Sequence, residues 1–257
     1  MRRLLIRPGA IGDLIVSLPA LEFLKSDYTE VWTAAVNAPL VRFADRVAFI
    51  SSSGIDGLEP NLQRLEGFDS IVSWYGTNRP DFRAAVEHLP FEFFPALPHG
   101  IGHAVDFYLA QVGAPLGQAP RLAVGPTEPR FAAIHPFSGS AKKNWPLERF
   151  REVANQLPVP VEWIAGPEET LEGANRFDNL WTLAQWLAGA LIYIGNDSGI
   201  SHLAAAVGTP VVALFGPSTP DVWAPRGVDV RVVAAPDGTM ESIAIDEVLA
   251  AVAHLRR

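Results

Sequence analysis

The chain has 257 residues and a formal net charge of −8, from 28 acidic against 20 basic side chains. An acidic balance excludes nucleic-acid backbone binding as the main activity, because that affinity comes from clustered Lys and Arg. The absence of cysteine excludes disulfides, zinc–thiolate sites and thiol nucleophiles.

The length suits one large domain or two ordinary ones, and 22 prolines with 21 glycines punctuate it into many short elements. The opening "MRRLLIRPGAIGDLIVSLPALEFL" has the charge of a signal peptide, but Arg7 and Asp13 interrupt its apolar region. No other run approaches membrane-spanning length. The reading is a soluble, cytoplasmic protein, with peripheral contact with the inner membrane surface left open. The histidines His88, His99, His103, His135, His202 and His254 form no metal-like pair, so no metal site is assigned.

In chain order, "LLIR" reads as a buried strand and "IVSLPALEFLK" as the helix packed on its sheet. Then come "EVWTAAV", "APLVRFA", "VAFI", "DSIVSW", a polar helix near Asp81 to Glu87, and "FEFF". "GHAVDFYLAQVG" reads as a helix ending at Gly113, where glycine takes the left-handed cap. The Pro- and Gly-dense "APLGQAPRLAVGPTEPR" links two lobes, 1–122 and 123–257. Beyond it the alternation restarts with "FAAIHP", helix "PLERFREVANQL", "VEWIAG", a short helix near "TLAQWLAG", "LIYIGN", helix "ISHLAAAVG", "VVALFG", "VRVVAA" and a last helix "SIAIDEVLAAVAHL". Strand–helix alternation of this kind predicts two α/β lobes with parallel sheets and a substrate cleft at the strand carboxyl ends.

Two turns stand out. In "RPGAIGDL" glycines 9 and 12 permit a sharp turn, and Asp13 sits at a helix start, where the dipole favours a carboxylate and a second anion is repelled. Taken alone, Asp13 reads as an N-cap. In "IYIGNDSGISHLAAAVG" a strand runs through Asn196, Asp197, Ser198 and Gly199 into an alanine-rich helix, whose N–H groups suit a diphosphate. Simple capping by Asp197 or Ser198 is the competing account. The missing G-x-G-x-x-G spacing argues against a nicotinamide-binding protein.

These two segments, with "IHPFSGSAKKNWPLERFREVA" between them, closely resemble glycosyltransferase family 9, the ADP-heptose:lipopolysaccharide heptosyltransferase-like proteins. The resemblance implies a GT-B architecture, two facing Rossmann-like α/β/α domains with a central cleft. It also implies inverting transfer of a sugar, heptose, from a nucleotide donor, ADP-heptose, without an essential metal or other cofactor. The partners would be that nucleotide sugar and a saccharide or lipid-linked saccharide acceptor such as the lipopolysaccharide core.

By the same resemblance, Asp13 matches the family's base, with Gly9 and Gly12 in the acceptor-side loop. Lys143 matches the diphosphate-contacting lysine, and Lys142 reads as solvated. Ser138, Gly139 and Ser140 supply further phosphate contacts, and Asn196, Asp197, Ser198 and Gly199 line the donor pocket. His202 touches phosphate or supports the loop. Glu169, with Glu168 as its rival, matches an acid near the ribose, although a solvated helix start is an equal reading. No D-x-D occurs, so the lysine takes the part of a divalent ion. An anionic acceptor would draw on arginines of the first lobe, among them Arg7, Arg42, Arg46, Arg79 and Arg83. The alternatives are a GT-B-like epimerase or hydrolase and a non-catalytic nucleotide-sugar binding protein.

Overall fold

The computed structural model describes residues 1–55, 62–99, 102–125 and 127–255. Gly100 and Ile101 of "PHGIGH", Pro126 of the connecting stretch, and the terminal Arg256 and Arg257 lie outside the described residues. The chain divides into two compact units, Met1–Gln118 and Ala119–Arg257. Leu122 donates its N–H to the Ala206 carbonyl at 2.8 Å, which ties the start of the second unit to that unit's own framework.

The first unit runs β1 (Arg2–Arg7), α1 (Ile11–Phe23), β2 (Tyr28–Thr33), β3 (Arg46–Phe49), α2 (Ile50–Ser53), β4 (Ser70–Ser73), α3 (Pro80–Ala85), β5 (Phe91–Phe93) and α4 (Ala104–Gln111). Its five strands lie in the order β3-β2-β1-β4-β5, every pair parallel. Parallel strands are covered on both faces, which is why the middle of β1 is apolar without alternation. Leu4 and Ile6 join Trp32, Ile71, Phe82 and Val86 in one core cluster, while Leu5 between them points to the opposite face. Helices α1 and α4 pack on each other, and α1 buries an unbroken run from Leu14 to Leu21 that passes through Pro19.

The second unit runs β6 (Phe131–His135), α5 (Leu147–Gln156), β7 (Val161–Trp163), α6 (Leu180–Leu187), β8 (Ala190–Asn196), α7 (Gly199–Ala206), β9 (Val211–Phe215), α8 (Pro220–Trp223), β10 (Val230–Ala234) and α9 (Ile245–His254). Its order is β7-β6-β8-β9-β10, again all parallel. Ile134, Ile194, Val212 and Leu214 from three strands pack with Trp145, Phe150 and Val153 of the α5 region and Val248 and Val252 of α9. Trp145 donates its indole N–H to the Ile243 carbonyl at 3.2 Å, so the largest side chain of this core keeps its polar atom satisfied.

The strands and longer helices fall where alternation places them, the short helices α2 and α8 are additional, and the stretch after β2 differs. The stretch "EVWTAAV" ends as a strand at Thr33, and Ala35–Leu40 forms a 3-10 turn. The Asn37 amide donates to the Gly9 carbonyl at 3.0 Å, a tertiary bond that bends the chain back over the β1–α1 turn. Among the described residues no helix is long and apolar enough to cross a membrane.

Candidate active site

In an open parallel sheet a ligand binds beyond the strand carboxyl ends, at the point where the strand order reverses. In the second unit that point lies between β6 and β8, paired with His135 beside Gly195. Two segments remote in sequence therefore emerge side by side: the Ser/Gly turn after β6 and the Asn-Asp-Ser-Gly turn after β8.

Asn196 fastens one to the other. Fully buried, it donates from its amide to the Pro136 carbonyl at 2.8 Å and accepts the Trp145 N–H at 3.0 Å. Both ends of the 136–145 loop are thus pinned to β8, and its middle is free to present side chains. Within that loop the Ser138 hydroxyl reaches the Ser140 carbonyl and the Asn144 side-chain amide, each at 2.8 Å. Gly139 and Ser140 stand exposed, and a short 3-10 turn, Ala141–Lys143, follows.

Lys143 reaches back to Asp197, Nζ to Oδ2 at 2.6 Å, whereas Lys142 is exposed. The same carboxylate oxygen accepts the Ser218 hydroxyl at 2.5 Å. Ser198 is the N-cap residue of α7 but makes no side-chain cap bond, and Asp197 is engaged by Lys143 and Ser218, so capping does not account for this turn. The helix begins at Gly199 with its amides at the edge of the loop. Ser201 donates to the Asn196 carbonyl at 2.5 Å, and His202 is buried in the same helix.

Glu169 lies in the turn after β7. Its Oε2 accepts the Gly166 N–H at 2.6 Å and meets His135 Nε2 at 3.0 Å. A Cβ at Gly166 would sit 3.3 Å from Oε2, so a larger residue there would press on the carboxylate. Arg176 donates to the Gly166 and Glu169 carbonyls and closes the turn. Burial pushes the Glu169 carboxyl upward, yet the His135 and Gly166 hydrogen bonds and the nearby charge of Arg176 outweigh it, and the group titrates below its usual range. Glu168 is exposed.

In the first unit the order reverses between β1 and β4, and β1 ends at Arg7. Asp13 is the third residue of α1 and is not its N-cap. Its Oδ2 accepts the Ala10 N–H at 2.9 Å, a back-bond to an amide that the helix leaves unpaired. Gly9 adopts φ 116°, and a Cβ there would lie 2.8 Å from Asp13 Cβ, so glycine serves both the turn and the carboxylate. Gly12 differs from the expectation of a turn residue: it falls inside the first turn of α1, because the helix starts at Ile11.

Arg7 departs further, since at 1% exposure it is buried and not presented to an acceptor. Its guanidinium donates to Ser17 Oγ at 3.0 Å and to the Pro8 carbonyl, the Asp13 carbonyl and the Tyr108 hydroxyl at 2.9 Å each. It lies 4.0 Å from Asp13 Oδ1. Burial holds the guanidinium below its usual range, opposed by Tyr108 and Asp13, and burial pushes the Tyr108 phenol up to about 12. His135, Ser218 and Tyr108 carry no motif spacing of their own. The only sequence signal for the first two is their place in "IHPFSGS" and "FGPSTP", in the turns that leave β6 and β9, the strands on either side of β8. Among the described residues no group of three or more His, Asp and Glu could hold a metal ion.

The family model "Glycosyltransferase family 9 (heptosyltransferase)" matches residues 178–251, from just before α6 into α9. Lipopolysaccharide heptosyltransferase 2 of Escherichia coli (strain K12) is 45% identical over 114 residues, which cover 35% of this chain and 32% of that protein. The chain thus matches about a third of that curated relative's length. Among solved structures, the glycosyl transferase family 9 protein from Veillonella parvula DSM 2008 superposes with a TM-score of 0.80 at 19% identity, covering 99% of this chain and 96% of that one. The E. coli heptosyltransferase WaaC with ADP gives 0.73 at 17% identity, covering 99% and 100%. The fold is GT-B, α/β with two parallel five-stranded sheets. Over residues 178–251 the chain is similar to glycosyltransferase family 9, and over nearly its whole length it shares the fold of solved proteins described as members of that family.

Proposed function

We propose that this chain is an inverting glycosyltransferase that moves heptose from ADP-heptose to a saccharide of lipopolysaccharide-core type, without an essential metal. The observation that carries the reading is the pairing of Lys143 with Asp197 at the strand-order reversal of the second unit, beside the uncapped start of α7. A cation and helix amides suit a departing diphosphate, and a carboxylate suits the hydroxyls of a sugar. The relatives named as heptosyltransferases, and a neighbouring structure described with ADP, support the choice of donor.

In this reading Asp13 takes the proton of an acceptor hydroxyl as that oxygen attacks the anomeric carbon. The bond from that carbon to the diphosphate oxygen breaks, its electrons leave with ADP, and configuration inverts in the single displacement. Lys143, the loop from Ser138 to Ser140, and the amides of Ser198 and Gly199 hold the diphosphate, and His202 supports that turn. Asp197 accepts from the sugar, and Glu169 accepts from the ribose. Asn196 holds the loop in place through the bonds described above. The acceptor would be lipid-linked and met at a membrane surface.

Calorimetry with ADP, UDP and GDP tests the donor, and a transfer assay with ADP-heptose tests the reaction. Asp13→Asn should keep donor affinity and lose about 100-fold or more in turnover, the usual scale of general base catalysis. Unchanged turnover removes Asp13 from the mechanism. Lys143→Ala should weaken both binding and rate. Activity abolished by chelator and restored by magnesium would overturn the metal-free reading. Hydrolysis of the donor with no transfer would favour a hydrolase.

A further inference from the structure

His135 is a buried titratable side chain to which the proposed chemistry assigns no part. It ends β6 at 4% exposure and presents Nε2 to Glu169 Oε2 at 3.0 Å. A carboxylate offers only acceptors, so Nε2 must carry the hydrogen, and in the neutral ring Nδ1 is then the bare acceptor. That Nδ1 is buried and has no hydrogen-bond partner among the described residues. An aliphatic side chain would fill the same space without leaving a polar atom stranded. Apart from an edge-on ring contact with Phe137, the imidazole earns its place through the Nε2–H.

Its partner is held at that oxygen and through its backbone. Gly166 gives an N–H to the same Oε2, and Arg176 clamps the backbone of the turn. Neither hydrogen bond uses Oε1, and the Glu169 side chain keeps 26% of its surface exposed. Such an arrangement fixes one oxygen so that the other is aimed.

We infer that His135 is a positioning residue that locks the rotamer of Glu169, so that the remaining carboxylate oxygen, Oε1, meets the 2′,3′-diol of the donor nucleoside. The inference rests on the ribose contact of Glu169 proposed above. Selectivity for an intact ribose over its deoxy analogue therefore depends on a histidine that never touches the ligand.

The test is calorimetry of ADP and 2′,3′-dideoxy-ADP with the full chain and its variants. Wild type should bind ADP about tenfold more tightly than the dideoxy analogue, the effect of one hydrogen bond to a charged group. Glu169→Gln should reduce this ratio, and His135→Leu should bring it to about twofold or less while dideoxy-ADP affinity stays within about twofold of wild type. His135→Gln, whose amide N–H can replace Nε2–H, should restore the ratio. Where the leucine variant does not fold, His135→Asn, too short to reach Oε2, takes its place with the same expectation.

A preserved ratio in His135→Leu or His135→Asn alongside a lost one in Glu169→Gln overturns the positioning role and leaves the ribose contact standing. Equal loss of both nucleotides in a folded His135 variant reduces the residue to a structural one and also overturns it. Wild type that does not distinguish the two nucleotides, or binds neither, overturns the ribose reading itself.

Discussion

Gly9 and Asp13 show how closely one carboxylate is fitted to its turn. Gly9→Ala would have to accept φ 116° and a Cβ at 2.8 Å from Asp13 Cβ, so it should destabilise the first unit by about 1–3 kcal/mol and displace the carboxylate. Urea unfolding and the transfer assay read the two effects separately. Glu169 gives a pH-dependent counterpart. Because folding lowers its carboxyl below 4.5, its stabilisation is complete above that value and disappears as pH falls through the folded-state value. Wild type should therefore lose thermal stability on acidification below about pH 4.5 faster than Glu169→Gln does.

At this scale the sequence was only partly legible. Asp13, Lys143 and Asp197 are singled out by the resemblance of their segments to glycosyltransferase family 9, whereas by residue type and spacing alone Asp13 reads as an N-cap and Asp197 as a simple cap. Arg7 misled: an arginine reads as exposed by default, and only the fold supplies the four acceptors that let it be buried. His135 was silent because its partner stands 34 positions away.

Among the elements, strands were the easiest to read, since buried parallel strands are short apolar runs bounded by Gly and Pro, as in "LLIR" and "VVALFG". The helix over "TLAQWLAG" begins earlier, at Leu180, because Asn179 caps it by accepting from the N–H groups of Trp181 and Thr182 at 3.0 Å each. Asn179→Ala should cost about 1 kcal/mol in chemical denaturation, with no change in reaction chemistry. The 3-10 turn at Ala35–Leu40 was not legible. It is set by the tertiary bond from Asn37 to Gly9, and local propensity carries no trace of a partner 28 residues distant.

For the molecule as a whole, the restart of strand–helix alternation after the Pro/Gly-rich link announced two sheets, and each unit has its own parallel sheet and core cluster. The strand orders were not legible, because hydrophobic patterning marks a strand but not its neighbour. The second unit contains every residue assigned to the donor, from Ser138 to His202. A fragment of residues 119–257 should therefore fold alone, bind ADP with affinity close to that of the full chain, and transfer no sugar. Circular dichroism, calorimetry and the transfer assay check these three outcomes, and an unfolded fragment would show that the core of this unit is insufficient by itself.

Lys143 is neutralised before any nucleotide arrives, by a carboxylate 2.6 Å away. Under the proposed function, uptake of a diphosphate would resemble counter-ion exchange, in which one anion replaces another at a lysine that was never bare. The ADP dissociation constant should accordingly vary only weakly with ionic strength, and Asp197→Asn should make that dependence steeper by unmasking the cation. In the proposed transfer reaction this would favour turnover, since a product that gains little net Coulombic attraction is released without a deep well to escape.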